Sequence, residues 1–252
     1  MEQTLTRATL ATPTSKLRII ARTGGRTKVG KTSFGLSAPG PIAYFDLNNR
    51  AEHVIDNFIK KKEIHVFSYN KIITATKQEW ADQWKMFNDD FLRAVEHPNI
   101  RSLVWDTEND SWEIRRLAEF GRESSIPTAY NPLNKDMRNL FEHVNESDKN
   151  LVVISEMKKK YISKIIVGKN GPKEISAWDG ESYEMSGWGN TGNKVQTNLV
   201  SKFNQVENKF SLEVINCGIN SDVTGNVYTG NTCTFPMLAM DVFPETDLED
   251  WE

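Results

Sequence analysis

Apolar residues fall in short runs through the first part of the chain and in alternation through the last. Lys16–Arg22 (KLRIIAR), Ile42–Asp46 (IAYFD), Ile64–Tyr69 (IHVFSY), Ile100–Asp106 (IRSLVWD) and Leu151–Met157 (LVVISEM) read as strands, each short, apolar and set off by turn-forming or polar residues. Between them Ala51–Ile59, Thr76–Glu96, Ser111–Arg122 and Asn134–Val144 read as helices. In Thr76–Glu96 the residues Trp80, Trp84, Phe87, Phe91 and Val95 recur at helical spacing, which predicts a packing face. Strands alternating with helices predict a parallel sheet with helical crossovers. After Met157 the pattern changes. Tyr161–Val167, Lys173–Trp178, Val195–Phe203 and Phe210–Cys217 look like β segments, with glycine-rich runs at Gly168–Gly171 and Gly187–Gly192. These predict antiparallel hairpins or an extension of the sheet. The expected class is α/β with a mainly parallel central sheet and a β-rich C-terminal part.

Composition narrows the picture. The chain has 252 residues, 38% hydrophobic and 26% charged, enough for one α/β domain with a proper core. No apolar run approaches the roughly 20 residues that span a bilayer. Met1–Ser15 is polar and lacks the apolar stretch of a signal peptide. A cytoplasmic protein without a membrane partner is expected. Cys217 and Cys233 have no CxxC spacing, and His53, His65, His97 and His143 are scattered, so no zinc signature is present. The net charge is −3, unevenly spread. No Lys or Arg follows Lys209, while Glu213, Asp222, Asp241, Glu245, Asp247, Glu249, Asp250 and Glu252 do. A mildly basic body with an acidic end suits a nucleic-acid protein as well as plain solvated surface.

One motif carries chemistry. Gly25 to Thr32 (GRTKVGKT) matches G-x-x-x-x-G-K-[ST] in full and follows a predicted strand, the context of a phosphate-cradling P-loop. Gly25, Arg26, Thr27, Lys28, Val29, Gly30, Lys31, Thr32 and Ser33 are the candidate nucleotide-binding residues. Glycines let backbone N–H groups turn toward phosphates. Lys31 is placed to reach the β- and γ-phosphates, and the Thr32 hydroxyl to ligate Mg²⁺. Lys28 stands where many such loops have a small residue. Asp106, at the end of SLVWD, is the candidate second acid for Mg²⁺. Glu108, two residues on, is suited to polarise water, and equally to serve as a first-turn helix acid. ATP with Mg²⁺ is the expected ligand, with Lys31, Asp106 and Glu108 as candidate catalytic residues.

The order GRTKVGKTS, PIAYFD, SLVWD, NLVVISEMKKKY over residues 16–215 resembles the RecA superfamily, more narrowly the phage-encoded RecA-like ATP-binding proteins, which include ATP-dependent single-strand annealing proteins. The resemblance implies a RecA-like ATP-binding domain, taken over 16–240, and composition marks an arm at 1–15 before it and an acidic tail at 241–252 after it. It implies a γ-phosphate sensor at Ser155 and Glu156. It implies DNA-binding loops near Arg122–Asn131 and over Lys158–Gly192. In the second loop Lys158, Lys159, Lys160, Tyr161 and Lys164 are the candidate contacts with single-stranded DNA, with Lys169, Lys173, Trp178, Tyr183 and Trp188 close by. It further implies a homo-oligomer, ring or filament, a single-strand-binding protein among the partners, and the host cytoplasm of a phage-encoded protein. One departure stands out: Asn48 falls where the family has a water-activating glutamate, and an amide cannot take a proton from water. A nucleotide-dependent assembly or interaction protein with little hydrolysis is therefore the alternative. The tail, polar but for Val242, Phe243, Leu248 and Trp251, is expected to be mobile and to compete with DNA for the basic loop.

Overall fold

A computed structural model describes residues 16–49, 51–69, 75–122, 125–168 and 171–252. The expected arm at 1–15 and Lys169 lie outside the described residues; at Lys164 the description is limited to the backbone. Among the described residues nine strands form one sheet in the order β3-β2-β4-β5-β1-β7-β8-β9, with β6 paired to β5 off that path. The strands are β1 (Ile20–Gly25), β2 (Ile42–Asp46), β3 (Ile64–Ser68), β4 (Ser102–Asp106), β5 (Asn150–Gly168), β6 (Gly171–Met185), β7 (Thr197–Asn204), β8 (Lys209–Cys217) and β9 (Val227–Thr229). All pairings among β1 to β5 are parallel, as is β1 with β7. The pairs β5–β6, β7–β8 and β8–β9 are antiparallel. The mainly parallel sheet and the β-rich C-terminal part are as the sequence pattern requires.

Helices α1 (Lys31–Leu36), α2 (Glu52–Ile55), α3 (Lys77–Glu96), α4 (Glu108–Phe120), α5 (Asn131–Glu146), α6 (Thr191–Lys194) and α7 (Phe235–Val242) complete the fold. Two-sided burial explains why the central strands are apolar throughout. On one face Ile42, Tyr44, Val104, Val152 and Ile154 pack with Phe34 of α1 and Leu238 of α7. On the other, Phe45, Trp105 and Val153 pack with Phe87 and Phe91 of α3 and Phe141 of α5. The stripe on α3 is thus a core face, and each fully buried ring there contributes about 1.5–3 kcal/mol. Thr76 caps that helix in a capping box with Glu79, which satisfies two donors that the first turn leaves open.

Three expectations are corrected. Lys158–Gly192, where the alternation predicts antiparallel hairpins and the resemblance a DNA-binding loop, is not one open loop. Most of it is the two-stranded ribbon of β5 and β6, and Trp188, beyond it, is buried against Phe141. Between Arg122 and Asn131 the described residues form a 3-10 turn at Pro127–Tyr130 that leads into α5, with Tyr130 packed on Trp112 and Phe120. Residues 241–252 are not a loose tail. Val242 closes α7, Phe243 stacks on Trp251, and Trp251 is 1% exposed. Two carbonyls of this end, on Asp250 and Glu252, accept from the Arg101 guanidinium at 2.9 Å each. Two aromatic rings bury enough surface to anchor a short acidic segment. Arg101 precedes β4 while Asp106 ends it, so this segment sits at the opposite end of the strand, about 16 Å along β4 from Asp106. Competition with DNA by a mobile tail has no structural basis.

Candidate nucleotide site and nucleic-acid ribbon

The loop after β1 is shaped by close approach. A Cβ on Gly25 would lie 2.6 Å from the Ser201 carbonyl and 2.7 Å from the Val29 side chain, so only glycine lets the chain turn there. Gly30 enters α1 with φ 88°, a left-handed conformation that glycine adopts without strain. Lys28 also has positive φ, 62°, which explains why small residues suit this position. Lys31 Nζ donates to the Gly25 carbonyl at 2.9 Å and to the Arg26 carbonyl at 2.7 Å. The lysine is thus folded into the loop it would share with phosphates. Burial lowers its pKa, and the nearby carboxylates of Asp106 and Glu156 oppose that shift.

Asp106 stands where the sequence places the second acid. Its Oδ2 accepts from the Thr32 hydroxyl at 2.7 Å and from the Tyr44 hydroxyl at 2.8 Å. The strand β5 lies between β1 and β4, yet the reach of Thr32 closes the gap. Burial pushes the Asp106 carboxyl above its ordinary range; the two hydroxyls act against this, and Asp46 adds to it. Asp46 and Tyr44 were not expected in the site. The signal was present: Ile42, Tyr44 and Asp46 alternate onto one face of β2, and Asp46 is in register with Asp106.

Glu108 and Ser155 do not join this group. Glu108 is fully buried at the start of α4, on the other face of the sheet. Its Oε2 accepts from Arg22 at 3.0 Å and from Ser155 at 2.9 Å. Its Oε1 accepts from the Trp188 amide at 2.8 Å and from the Thr191 hydroxyl. A carboxylate so enclosed has no opening toward an attacking water, so the water-polarising role is corrected to an anchoring one. Ser155 also accepts from Arg22 Nε at 2.8 Å, which turns its hydroxyl away from the phosphate loop. Glu156 is the member of that pair on the loop's face: it is exposed, in register with Gly25, and close enough to act on Lys31. A further residue missed is Arg22, a charge inside an apolar strand, which demands a buried partner.

A family model described as an AAA domain matches residues 23–188. The chain belongs to the AAA domain family. No curated protein matches it at a significant level. Among solved structures, the crystal structure of the RadB recombinase is similar over 84% of this chain and 86% of that one, with 9% identity and a TM-score of 0.48. For this AAA domain, family and loop geometry together make it a P-loop nucleotide-binding protein. Among the described residues no helix is long and apolar enough to cross a membrane.

The ribbon of this AAA domain leaves the sheet at the strand ends that carry the loop, where Glu156 is in register with Gly25. Lys158, Lys159, Lys160 and Lys173 are exposed on it, and Tyr161 is 61% exposed. Lys158 pairs with Glu184 at 3.2 Å, and Lys159 Nζ sits 4.3 Å from the centre of the Trp178 ring. Trp178 meets Tyr183 edge to face at 5.8 Å, and the Arg26 guanidinium lies 5.4 Å from the Tyr183 ring. A phosphate-loop residue therefore touches the ribbon.

Proposed function

We propose that this AAA domain binds ATP with Mg²⁺ and uses it to control contact between the β5–β6 ribbon and single-stranded DNA, as in recombination or annealing by the phage-encoded proteins whose motif order it resembles. The observation that carries the nucleotide half is the joining of Lys31, Thr32 and Asp106 around one loop. Lys31 would exchange its two loop carbonyls for phosphate oxygens. Thr32 and Asp106 would hold Mg²⁺, which neutralises phosphate charge when bound. Among the described residues no three His, Cys, Asp or Glu side chains gather closely enough to hold a metal unaided, so phosphate oxygens would supply the remaining ligands. For the DNA half, exposed lysines neutralise phosphates and Tyr161 offers a stacking face. Assembly into a ring or filament, and a single-strand-binding partner, belong to the same proposal. The second reading, a nucleotide-dependent assembly protein with little turnover, is favoured by the enclosure of Glu108 and by Asn48, an amide where the resemblance places the water-activating glutamate.

Nucleotide and DNA binding are separable by mutation. Lys31→Ala is expected to weaken ATP binding by about 2 kcal/mol or more with the fold intact. The triple replacement of Lys158, Lys159 and Lys160 by Ala is expected to leave ATP affinity alone and to lower the salt slope of single-stranded DNA binding by roughly 0.7 per lost phosphate contact. Calorimetry and a salt titration measure the two. An unchanged slope would remove the ribbon from the interface. ATP hydrolysis stimulated by single strands favours the first reading over the second.

A further inference from the structure

A groove of about 670 Å³ lies away from the phosphate loop, within the roughly 300–1,000 Å³ of ligand pockets. Pro41 and Glu63 line it, and they precede β2 and β3, so it sits at the strand ends opposite Asp46 and Asp106. Phe58, Lys61 and Lys62, from the turns after α2, form one side. Met237 of α7 and Leu248 and Trp251 of the C-terminal segment supply further apolar lining. Leu248 is 44% exposed although Trp251, three residues on, is buried, so an apolar side chain is left half covered there. Lys60, Lys61 and Lys62 are consecutive, and the first two are exposed. Lys62 Nζ donates to the Ala38 carbonyl at 2.7 Å and to the Ser37 carbonyl at 3.3 Å. An ammonium has three donors, so these two bonds leave a third for an incoming acceptor. Burial lowers the Lys62 pKa; Glu252 opposes the shift, and Arg101 and Lys61 add to it. Of the acids in the lining, Glu63 Oε1 lies 2.8 Å from His65 Nε2, and Glu252 is the one set against Lys62.

The C-terminal segment shows what chemistry this end of the molecule accepts. Asp247–Glu252 (DLEDWE) carries four acids and two apolar residues. It is seated by the buried Trp251 ring and by the Arg101 guanidinium, while its acidic residues stay exposed. The groove repeats both conditions, an apolar lining beside crowded cations. We propose that it docks a short acidic segment of a partner protein, with carboxylates on Lys61 and Lys62 and one large apolar side chain among Phe58, Met237 and Leu248. Charge complementarity to the lysines selects the acid. The apolar lining selects a peptide over a nucleic acid, whose phosphates would also meet the exposed acids of the C-terminal segment. The docking is independent of the nucleotide reading, since Lys31 and Thr32 lie at the other strand ends.

The probe is a fluorescent Asp-Asp-Leu-Asp-Phe peptide, followed by anisotropy at low salt. Saturable binding is expected, weakening as salt rises because the contact is partly ionic. Lys60→Glu combined with Lys61→Glu is expected to weaken it at least about fivefold. Leu248→Ser is expected to weaken it roughly tenfold through lost apolar contact. The replaced side chains are exposed, and an unchanged melting temperature in both variants shows the fold intact. Lys61→Arg, which keeps the charge, is expected to retain binding. A Lys-Lys-Leu-Lys-Phe peptide is expected not to bind, and Asp-Asp-Ser-Asp-Ser to bind about tenfold more weakly than the probe. No saturable binding of the probe, equal binding of the basic peptide, or an affinity unmoved by both variants would overturn the proposal. Displacement of the probe by a single-stranded oligonucleotide, lost when Lys60 and Lys61 are reversed in charge, would overturn it in favour of a nucleic-acid site.

Discussion

Asp106 and Glu108 lie two residues apart, both buried, and they serve opposite faces of one sheet. Asp106 ends β4 on the α1 face, where its partners are two hydroxyls, and Lys31 and Asp46 are close. Glu108 opens α4 on the other face, where a guanidinium, two hydroxyls and an amide take both of its oxygens. Burial pushes both carboxyls upward; Arg22 opposes the shift most at Glu108. The difference teaches what distinguishes a chemical acid from an anchoring one. Asp106 is held by groups that can be re-partnered when a cation arrives. Glu108 is held by a charge that would be stranded without it.

Removing each acid breaks the comparison most sharply. Glu108→Ala leaves Arg22 buried and unpaired, and is expected to cost about 3–5 kcal/mol of stability. Pairing it with Arg22→Met should recover much of that loss, since an apolar pair of similar volume is often no less stable. Asp106→Asn keeps acceptors for Thr32 and Tyr44, and is expected to cost under about 1.5 kcal/mol while removing the Mg²⁺ dependence of nucleotide binding. Denaturant midpoints and calorimetry with and without Mg²⁺ separate the two. Equal destabilisation by both changes would erase the distinction.

Alkaline pH gives an intermediate effect that strikes both faces. Tyr44 on the Asp106 side and Tyr69 on the α3 side are buried, each hydrogen-bonded to a carboxylate. Burial first, then those carboxylates, raise both phenols well above their ordinary range. A raised folded pKa means the folded state keeps its proton when the unfolded state has lost it. The contribution is fully present below the unfolded value near 10 and is lost as pH rises beyond it. At pH 11 the two together are expected to cost about 3 kcal/mol. Melting temperature followed from pH 8 to 11 checks this, and Tyr69→Phe should halve the drop. A flat profile would mean that these rings ionise as freely folded as unfolded.

Legibility in the sequence followed the kind of force at work. Burial is written in composition, so the sheet order of strand and helix, the α3 stripe and the loop GRTKVGKT were all readable. Ile42–Asp46 and Thr76–Glu96 matched the observed elements closely. Side-chain direction at a strand end was harder. Ser155 and Glu156 are neighbours in sequence and face opposite sides of β5, because strand residues alternate. Only the register with Gly25 says which of the two faces the loop. Short elements that depend on tertiary packing were not readable. The strand β9 has three residues, and α7 was hidden in a segment that read as an acidic end. Phe243 and Trp251 were the residues that should have argued for packing.

The smallest expected effect tests whether the two functional regions communicate. The contact of Arg26 with Tyr183 is a side-chain link between the phosphate loop and the ribbon, continued through Trp178 to Lys159. A cation over an aromatic ring at such a site is worth about 0.5–1 kcal/mol, which bounds the coupling at a factor of roughly 2 to 5. If phosphates draw Arg26 inward, Tyr183 loses its cation and the ribbon changes position or mobility. Tyr183→Leu keeps an apolar group of similar reach and removes the ring face. It is expected to leave ATP affinity nearly unchanged, and to reduce by about that factor the difference in single-stranded DNA affinity measured with and without ATP. Because linkage is reciprocal, the same variant should equally reduce the effect of DNA on ATP binding. Retention of the full ATP dependence in both directions would place the coupling elsewhere, with Met185 against Gly24 at the end of β1 as another junction.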